Sequence, residues 1–376
     1  NSNVNLQSDH ISWGKALDDQ GVHSVLVGKV DAYDHIANLG FSESIVGGDR
    51  TFPGDTNQGR KPLRIREGSH ARAKGYGPKD DPYKHDDIVI ENALHWLENE
   101  SPKLDRPFVL TVNFLAPHFP HHTTQELWDK YEHLQDLPKY GSDCDTAKHG
   151  RAIEIRKHFE LNAFSETDSR NLRRGYYACI DYVDQQLGRL RDLLAKLGLS
   201  DSTNLIYASD HGEMLGKFGM WWKCSLYEDS ARIPMIAEGP DFRGGQTIET
   251  PVNLLDVQAE FFASTGAQRP THMVGEALQN IEPKDASRVC FSEYQGHGNS
   301  ESSFMVRKGK WKLIYHINAP HQLFDLEKDP NELENRYDSS PQVADDLETE
   351  LRKICDPERE NERADLFVAA QLQRIE

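Results

Sequence analysis

Asp210 and His211 follow directly on an apolar stretch, TNLIYAS. A carboxylate beside an imidazole can close on one divalent cation with oxygen-rich surroundings. The stretch reads as a β-strand, and in open α/β sheets ligands bind outside the carboxyl ends of strands. The pair also reads as a capping aspartate followed by a surface histidine, and by itself it does not choose between the two. The five cysteines, Cys144, Cys179, Cys224, Cys290 and Cys355, are widely spaced and contain no C-x-x-C pair. That argues against a zinc knuckle or a thioredoxin-like site. Cys179 lies in a helical pattern and Cys290 in a strand, so both are expected as reduced, buried thiols.

The elements that must position Asp210 and His211 alternate between helix and strand. Before the strand, Tyr176, Ile180, Val183, Leu187, Leu190 and Leu194 recur at helical spacing within 172–197, and Gly198 closes the helix. After it, RIPMIAEGP (232–240) reads as a second strand. Upstream, residues 8–20 predict a helix capped by Ser8 or Asp9, and HSVLVGK a short buried strand. Residues 86–100 return to helical period through Val89, Ala93 and Trp96. PFVLTVNFLAPH (107–118) is apolar enough for a parallel-sheet strand buried on both faces. The polar stretches 41–85 and 119–170 read as a surface excursion and as an insertion or lid. The alternation predicts an α/β fold with a mostly parallel central sheet flanked by helices. From residue 287 the pattern changes to close strands, with a hairpin around Lys308-Gly309 and a final helix at 341–355. The expected division is therefore 1–286 for the α/β domain and 287–376 for a smaller antiparallel α+β part. Its charged tail, 356–376, is expected to reach a neighbouring subunit and make a homo-oligomer.

Around the Asp-His pair the chain reads Ser209-Asp210-His211-Gly212-Glu213, then Trp222-Lys223 through Tyr227-Glu228, then Arg232-Ile233-Pro234. This resembles the sulfatase family of the alkaline-phosphatase-like superfamily. Further elements fall in the family's order. Gly28-Lys29 follows a strand, Pro117-His118-Phe119-Pro120 resembles the P-H-x-P loop, and the helix over Tyr176–Leu197 resembles the one before the metal strand. Trp311-Lys312-Leu313-Ile314 and Leu323-Phe324-Asp325-Leu326 through Asp329-Pro330-Asn331-Glu332 resemble its C-terminal signatures.

The resemblance implies hydrolysis of a sulfate ester of a carbohydrate or small alcohol. A phosphonate or phosphate ester hydrolase of the same superfamily is the alternative, and the Lys29, His118 and Lys223 set favours sulfate. Asp210 and His211 would be two ligands of a Ca²⁺ (or Mg²⁺) that neutralises sulfate oxygens. Lys29 and Lys223 would bind those oxygens as point charges. His118 would contact the sulfate or the bridging oxygen and serve as general acid. His121, His122, His297 and Lys310 are weaker candidates for lining the substrate pocket.

Two departures from the family stand out. Many members have His two residues after the first motif lysine; here it is Asp31, a carboxylate able to accept the same proton. Asp31-Ala32-Tyr33 is similar to the glucuronate-2-sulfatase-like subgroup, with His35 as a substitute base, whereas the tail is similar to choline-sulfatase-like proteins. The family's Asp-Asp strand and its C/S-x-P-S/A-R motif, source of the formylglycine nucleophile, are not found in these residues. Formylglycine is thus expected outside this segment and no formylglycine-dependent turnover is expected of the chain alone, which leaves a catalytically incomplete remnant or subunit as a further alternative.

Composition bounds the partners. The chain has 376 residues, with 43 Lys+Arg against 61 Asp+Glu and a net charge of −18. Such a body repels a polyanion, which excludes a nucleic-acid binder. No apolar run is long enough for a membrane span. The expected partner is an anionic sulfated small molecule or saccharide. No signal peptide is visible, and the compartment stays open, with a periplasmic or secreted protein fitting the resemblance.

Overall fold

The computed structural model describes residues 10–32, 34–48 and 59–375. Ser8, Asp9 and Tyr33, each named above, lie outside the described residues. The first helix, α1 (Trp13–Asp18), is shorter than expected because Ser12 caps it, accepting a hydrogen bond from the Lys15 amide. Strand β1 (His23–Gly28) follows. It pairs in parallel with β2 (Glu43–Ile45), so part of the supposed surface excursion is a sheet strand. Beyond β3 (Tyr76–Pro78) and helix α2 (Lys84–Asn99), strand β4 (Phe108–Asn113) joins the other side of β1, also in parallel. This β2-β1-β4 sheet is the parallel centre of the fold. Helix α2 lays Val89, Ile90, Ala93 and Trp96 against Val25 and Val27 of β1.

Strand β5 (His121–Thr123) pairs with β3, and α3 (Gln125–Lys130) and α4 (Gly150–His158) follow. The polar stretch 119–170 is therefore not a lid. Ala152, Ile155 and Phe159 enter the largest core cluster. Its buried cations find partners inside the protein: Arg156 Nη1 donates to Phe218 O at 2.9 Å, and Arg151 Nη1 donates to Ser300 Oγ and pairs with Glu154, both at 2.7 Å. The long helix α5 (Glu166–Lys196) starts at a capping box between Ser165 and Asp168. It leads into β6 (Leu205–Ala208), the short helix α6 (Glu228–Ala231) and β7 (Met235–Glu238). Strand β7 runs antiparallel to β6, forming a separate pair. Every residue of β4 and of β6 is only half-buried, unlike the two-sided burial expected for the apolar β4. The reason is pairing: among the described residues each of these strands is hydrogen-bonded along one edge alone.

After α7 (Leu254–Thr265), strands β8 (Val289–Tyr294), β9 (Ser303–Lys308), β10 (Trp311–His316) and β11 (Gln322–Asp325) form an antiparallel meander. Helix α8 (Pro341–Ile354) covers one face through Ala344, Leu347 and Leu351. On the other face Met305, Ile314 and Phe324 share a core with Met214, Phe218 and Trp222 of the α/β part. The tail helix α9 (Pro357–Ile375) docks on its own chain. Arg60 donates to Asn361 Oδ1 at 2.7 Å, and Lys61 pairs with Asp365 at 2.7 Å. No helix among the described residues is long and apolar enough to cross a membrane. All five cysteines are free, with Cys179 and Cys290 buried as expected.

Candidate active site

Three connections converge at one end of the sheets. Lys29 leaves the end of β1, His118 lies in the loop beyond β4, and Asp210-His211 leave the end of β6. Gly28 is required before Lys29: its φ is +98°, and a Cβ would lie 2.3 Å from Asn113 O on the neighbouring strand. Lys223 arrives from the loop between β6 and α6.

Lys223 Nζ donates to His118 Nε2 at 2.5 Å. His118 Nδ1 donates to Phe119 O at 2.6 Å, so the neutral tautomer leaves Nε2 as acceptor. His118 remains an exposed residue at the mouth of this group. Desolvation by the cleft, then the charge of Lys223, push the imidazole pKa down to about 4. His211 packs edge-on to His118, with ring centroids 5.7 Å apart. Its Nδ1 is bound to Gly212 O at 2.9 Å, and its Nε2 lies 3.6 Å from Asp210 Oδ1. Burial and Lys223 lower the His211 pKa as well, keeping a lone pair at Nε2. Lys29 and Asp31 form an ion pair at 3.2 Å. Burial lowers the pKa of Lys223.

The neutral state of His118 is directly measurable. In the ligand-free protein its Cε1 proton should titrate near pH 4. In Lys223→Met the midpoint should rise, because the neighbouring positive charge is gone. A wild-type midpoint at the ordinary imidazole value would contradict this geometry.

The residues present fit part of a metal shell. Ca²⁺ takes about 6–8 oxygen-rich ligands. Asp210 offers a mostly exposed carboxylate and His211 a lone pair facing it. Among the described residues no third His, Cys, Asp or Glu completes a cluster with them.

Other expected residues stand apart. His121 is 1% exposed, on β5 beneath the cleft. Its ring packs on Phe119 and Tyr176, its Nδ1 meets Leu172 O at 3.1 Å, and burial lowers its pKa to about 3. His122 is turned to Gly77 O at 3.4 Å and lines a cavity of about 170 Å³ with His118. His297 stacks near His158 and Phe159, at centroid distances of 5.9 and 6.5 Å. Lys310 pairs with Asp325 at 3.2 Å, on the hairpin and away from this group. His35 is exposed, ahead of a 3₁₀ turn.

The structure adds residues that the motif order alone did not explain. Glu213 is half-buried and accepts hydrogen bonds from the Leu215 and Trp222 amides, at 3.2 and 2.5 Å. Burial raises its pKa to about 7. It ties together a loop in which Leu215, Phe218 and Trp222 all have positive φ. Helix α6 then joins the two sides of the cleft. Ser230 Oγ donates to Lys223 O at 2.5 Å, and Ser230 O accepts from the Gly212 amide at 2.8 Å. Gly212 is needed here, since a Cβ would lie 2.1 Å from Asp229 O. Beneath α6, Lys312 reaches Glu228 at 2.9 Å and Glu332 at 2.8 Å, and the Glu228 amide donates to Glu332 Oε2 at 2.7 Å. Burial opposes the Lys312 charge, yet the two carboxylates more than offset it and raise its pKa. The signal for this cluster was present: all three residues sit in the signature motifs.

A family model described as Sulfatase matches residues 2–267, and one described as N-sulphoglucosamine sulphohydrolase, C-terminal, matches residues 216–357. The chain is 33% identical over 256 residues to choline-sulfatase of Rhizobium meliloti, covering 66% of this chain and 50% of that protein. It is 27% identical over 383 residues to arylsulfatase K of Danio rerio, covering 95% of this chain and 71% of that protein. Human arylsulfatase K is 27% identical over 294 residues, which is 70% of this chain and 54% of that protein. The chain thus spans about half the length of two of these relatives. Among solved structures, BT4656 in complex with its substrate D-glucosamine-2-N,6-O-disulfate aligns with a TM-score of 0.70 at 18% identity, covering 93% of this chain and 82% of that one. The phosphonate monoester hydrolase of Silicibacter pomeroyi aligns with a TM-score of 0.71 at 20% identity, covering 94% and 81%. At these identities the structures share the fold.

Proposed function

The chain belongs to the sulfatase family, and on that premise we propose that its cleft hydrolyses a sulfate ester of a carbohydrate or small alcohol. The observation that supports this most is the meeting of Lys29, His118 and Lys223 beside Asp210 and His211. A sulfate monoester is a compact anion. Its oxygens need fixed positive charge, and its leaving alcohol needs a proton. Lys29 and Lys223 hold the oxygens. The resting proton lies on the Lys223 side of the Lys223–His118 pair, because burial and the neighbouring positive charge keep the imidazole neutral. His118 Nε2 takes that proton and passes it to the departing oxygen. Asp31, held by Lys29, is the base in place of the more usual histidine. Asp210 and His211 would hold a Ca²⁺ or Mg²⁺, which when bound supplies charge neutralisation at the sulfate. The reading includes a formylglycine nucleophile, to which none of the side chains described here is assigned.

The test is a panel of sulfate, phosphate and phosphonate monoesters given to the natural full-length protein, with released anions resolved by ion chromatography. Sulfate release should dominate. Faster release of phosphate or phosphonate would replace this reading with the ester-hydrolase alternative.

A further inference from the structure

Two cavities adjoin beside His118. The smaller, of about 170 Å³, is lined by His118 and His122 and by Lys79, Pro82 and Tyr83. The last three also line a larger cavity of about 580 Å³, set between the starts of α2 and α3 and the side of α5. Small-molecule sites usually have about 300–1,000 Å³, and the larger cavity falls in that range. Its buried lining is rigid. Tyr83 and Tyr182 are each 6% exposed and stack with ring centroids 3.7 Å apart. Their hydroxyls are fixed: Tyr83 donates to Thr123 Oγ1 at 2.8 Å and Tyr182 to Asp87 Oδ1 at 2.7 Å. Its rim carries Asp80, Asp81, Gln125, Glu126 and Gln185, all exposed.

Among the described residues no three of these carboxylates converge to hold a metal ion. They stand apart as separate acceptors, interleaved with side-chain amides. Sugar hydroxyls suit such a lining, since they donate to carboxylates and exchange hydrogen bonds with amides. Charge narrows the choice. Within the lining, Asp80, Asp81, Asp87 and Glu126 stand against one cation, Lys79. A sulfated or uronic unit would meet like charge there. Lys79 lies on the boundary shared with the His118 cavity, so the positive end of the groove is the end toward the reacting group. Resting on the sulfatase reading for the identity of the scissile group, we infer that the larger cavity is a subsite for a second, non-anionic sugar unit, joined to the unit that carries the scissile sulfate.

The test uses the full-length protein and three esters: a hexose monosulfate, the same unit linked to a neutral hexose, and the same unit linked to a hexuronic acid. Preference is read as kcat/KM where sulfate is released, and as calorimetric Kd in every case. The neutral disaccharide ester should be favoured over the monosaccharide ester by about 10–100-fold, the span of one hydrogen bond to a charged group. The uronic disaccharide ester should fall below the neutral one. Gln185→Trp, at an exposed position of α5, should fill the cavity and remove the gain while leaving the monosaccharide ester unchanged. Asp81→Asn/Glu126→Gln keeps the shape and should narrow the gap between the two disaccharide esters. That double variant decides alone if Gln185→Trp lowers all three esters equally. Equal values for the monosaccharide and neutral disaccharide esters would overturn the inference. So would a preference for the uronic disaccharide, or a gap unchanged in the double variant. Release of sulfate from none of the three refutes the sulfatase reading, while the Kd values still decide the role of the larger cavity.

Discussion

Lys223→Met in the full-length protein should lower kcat/KM for a sulfate ester by about 10²–10³-fold, the usual consequence of removing one preorganised charge-stabilising donor. Lys223 acts twice. In the proposed mechanism its ammonium would hold a sulfate oxygen, and it donates to His118 Nε2. Methionine keeps the length of the stem and removes both functions. The loss should appear in kcat as well as in kcat/KM, because charge on the bridging oxygen develops only in the transition state. Lys223→Arg should not restore activity, since a planar fork differs from a compact ammonium at 2.5 Å from an imidazole. A variant within threefold of wild type on both parameters would remove Lys223 from the mechanism.

Lys312→Met should destabilise the fold by about 3–5 kcal/mol, because removing one partner leaves the buried Glu332 carboxylate without its counter-ion. Lys312 and Glu332 are both 0% exposed. Glu228 gives the cluster its third charge, and Arg307 approaches it from β9 at 3.5 Å. Denaturant titration should show a lower midpoint with an unchanged slope. Neutralising a carboxylate together with the lysine, as in Lys312→Met/Glu332→Gln, should recover part of the loss. Glu332 is the partner to neutralise, since burial already raises its pKa. A single-variant cost below about 1 kcal/mol would mean that the cluster is hydrated rather than sealed.

Periodicity and order carried a good deal of this molecule into view. The spacing of Val183, Leu190 and Leu194 marked α5, and those residues are buried, whereas Ile180 of the same pattern faces outward. The stretch 119–170 misled because its anchors are Arg151, Arg156 and Thr146. Hydropathy counts those as solvent-facing, although backbone carbonyls and hydroxyls satisfy them inside. The direction of β7 could not be read either, since an apolar tetrapeptide is compatible with parallel and antiparallel pairing. In the cleft, Lys29, His118, Lys223, Asp210 and His211 were legible as motif members. His121, the weaker candidate, lies only three residues beyond His118, too close for the sequence to tell which of them faces the cleft. Only the pairing of β5 with β3 turns His121 beneath the cleft.

The arrangement under α6 has a consequence for the order in which this protein is made. Synthesis delivers the chain from its N-terminus, and non-local contacts wait for the last participant. Lys223 and the Asp210-His211 turn emerge well before Lys312 and Glu332, whose side chains secure α6 between them. During translation the cleft therefore stays unassembled until the C-terminal meander has left the ribosome. A stalled or prematurely terminated product would carry every charged residue of the cleft without a working arrangement of them.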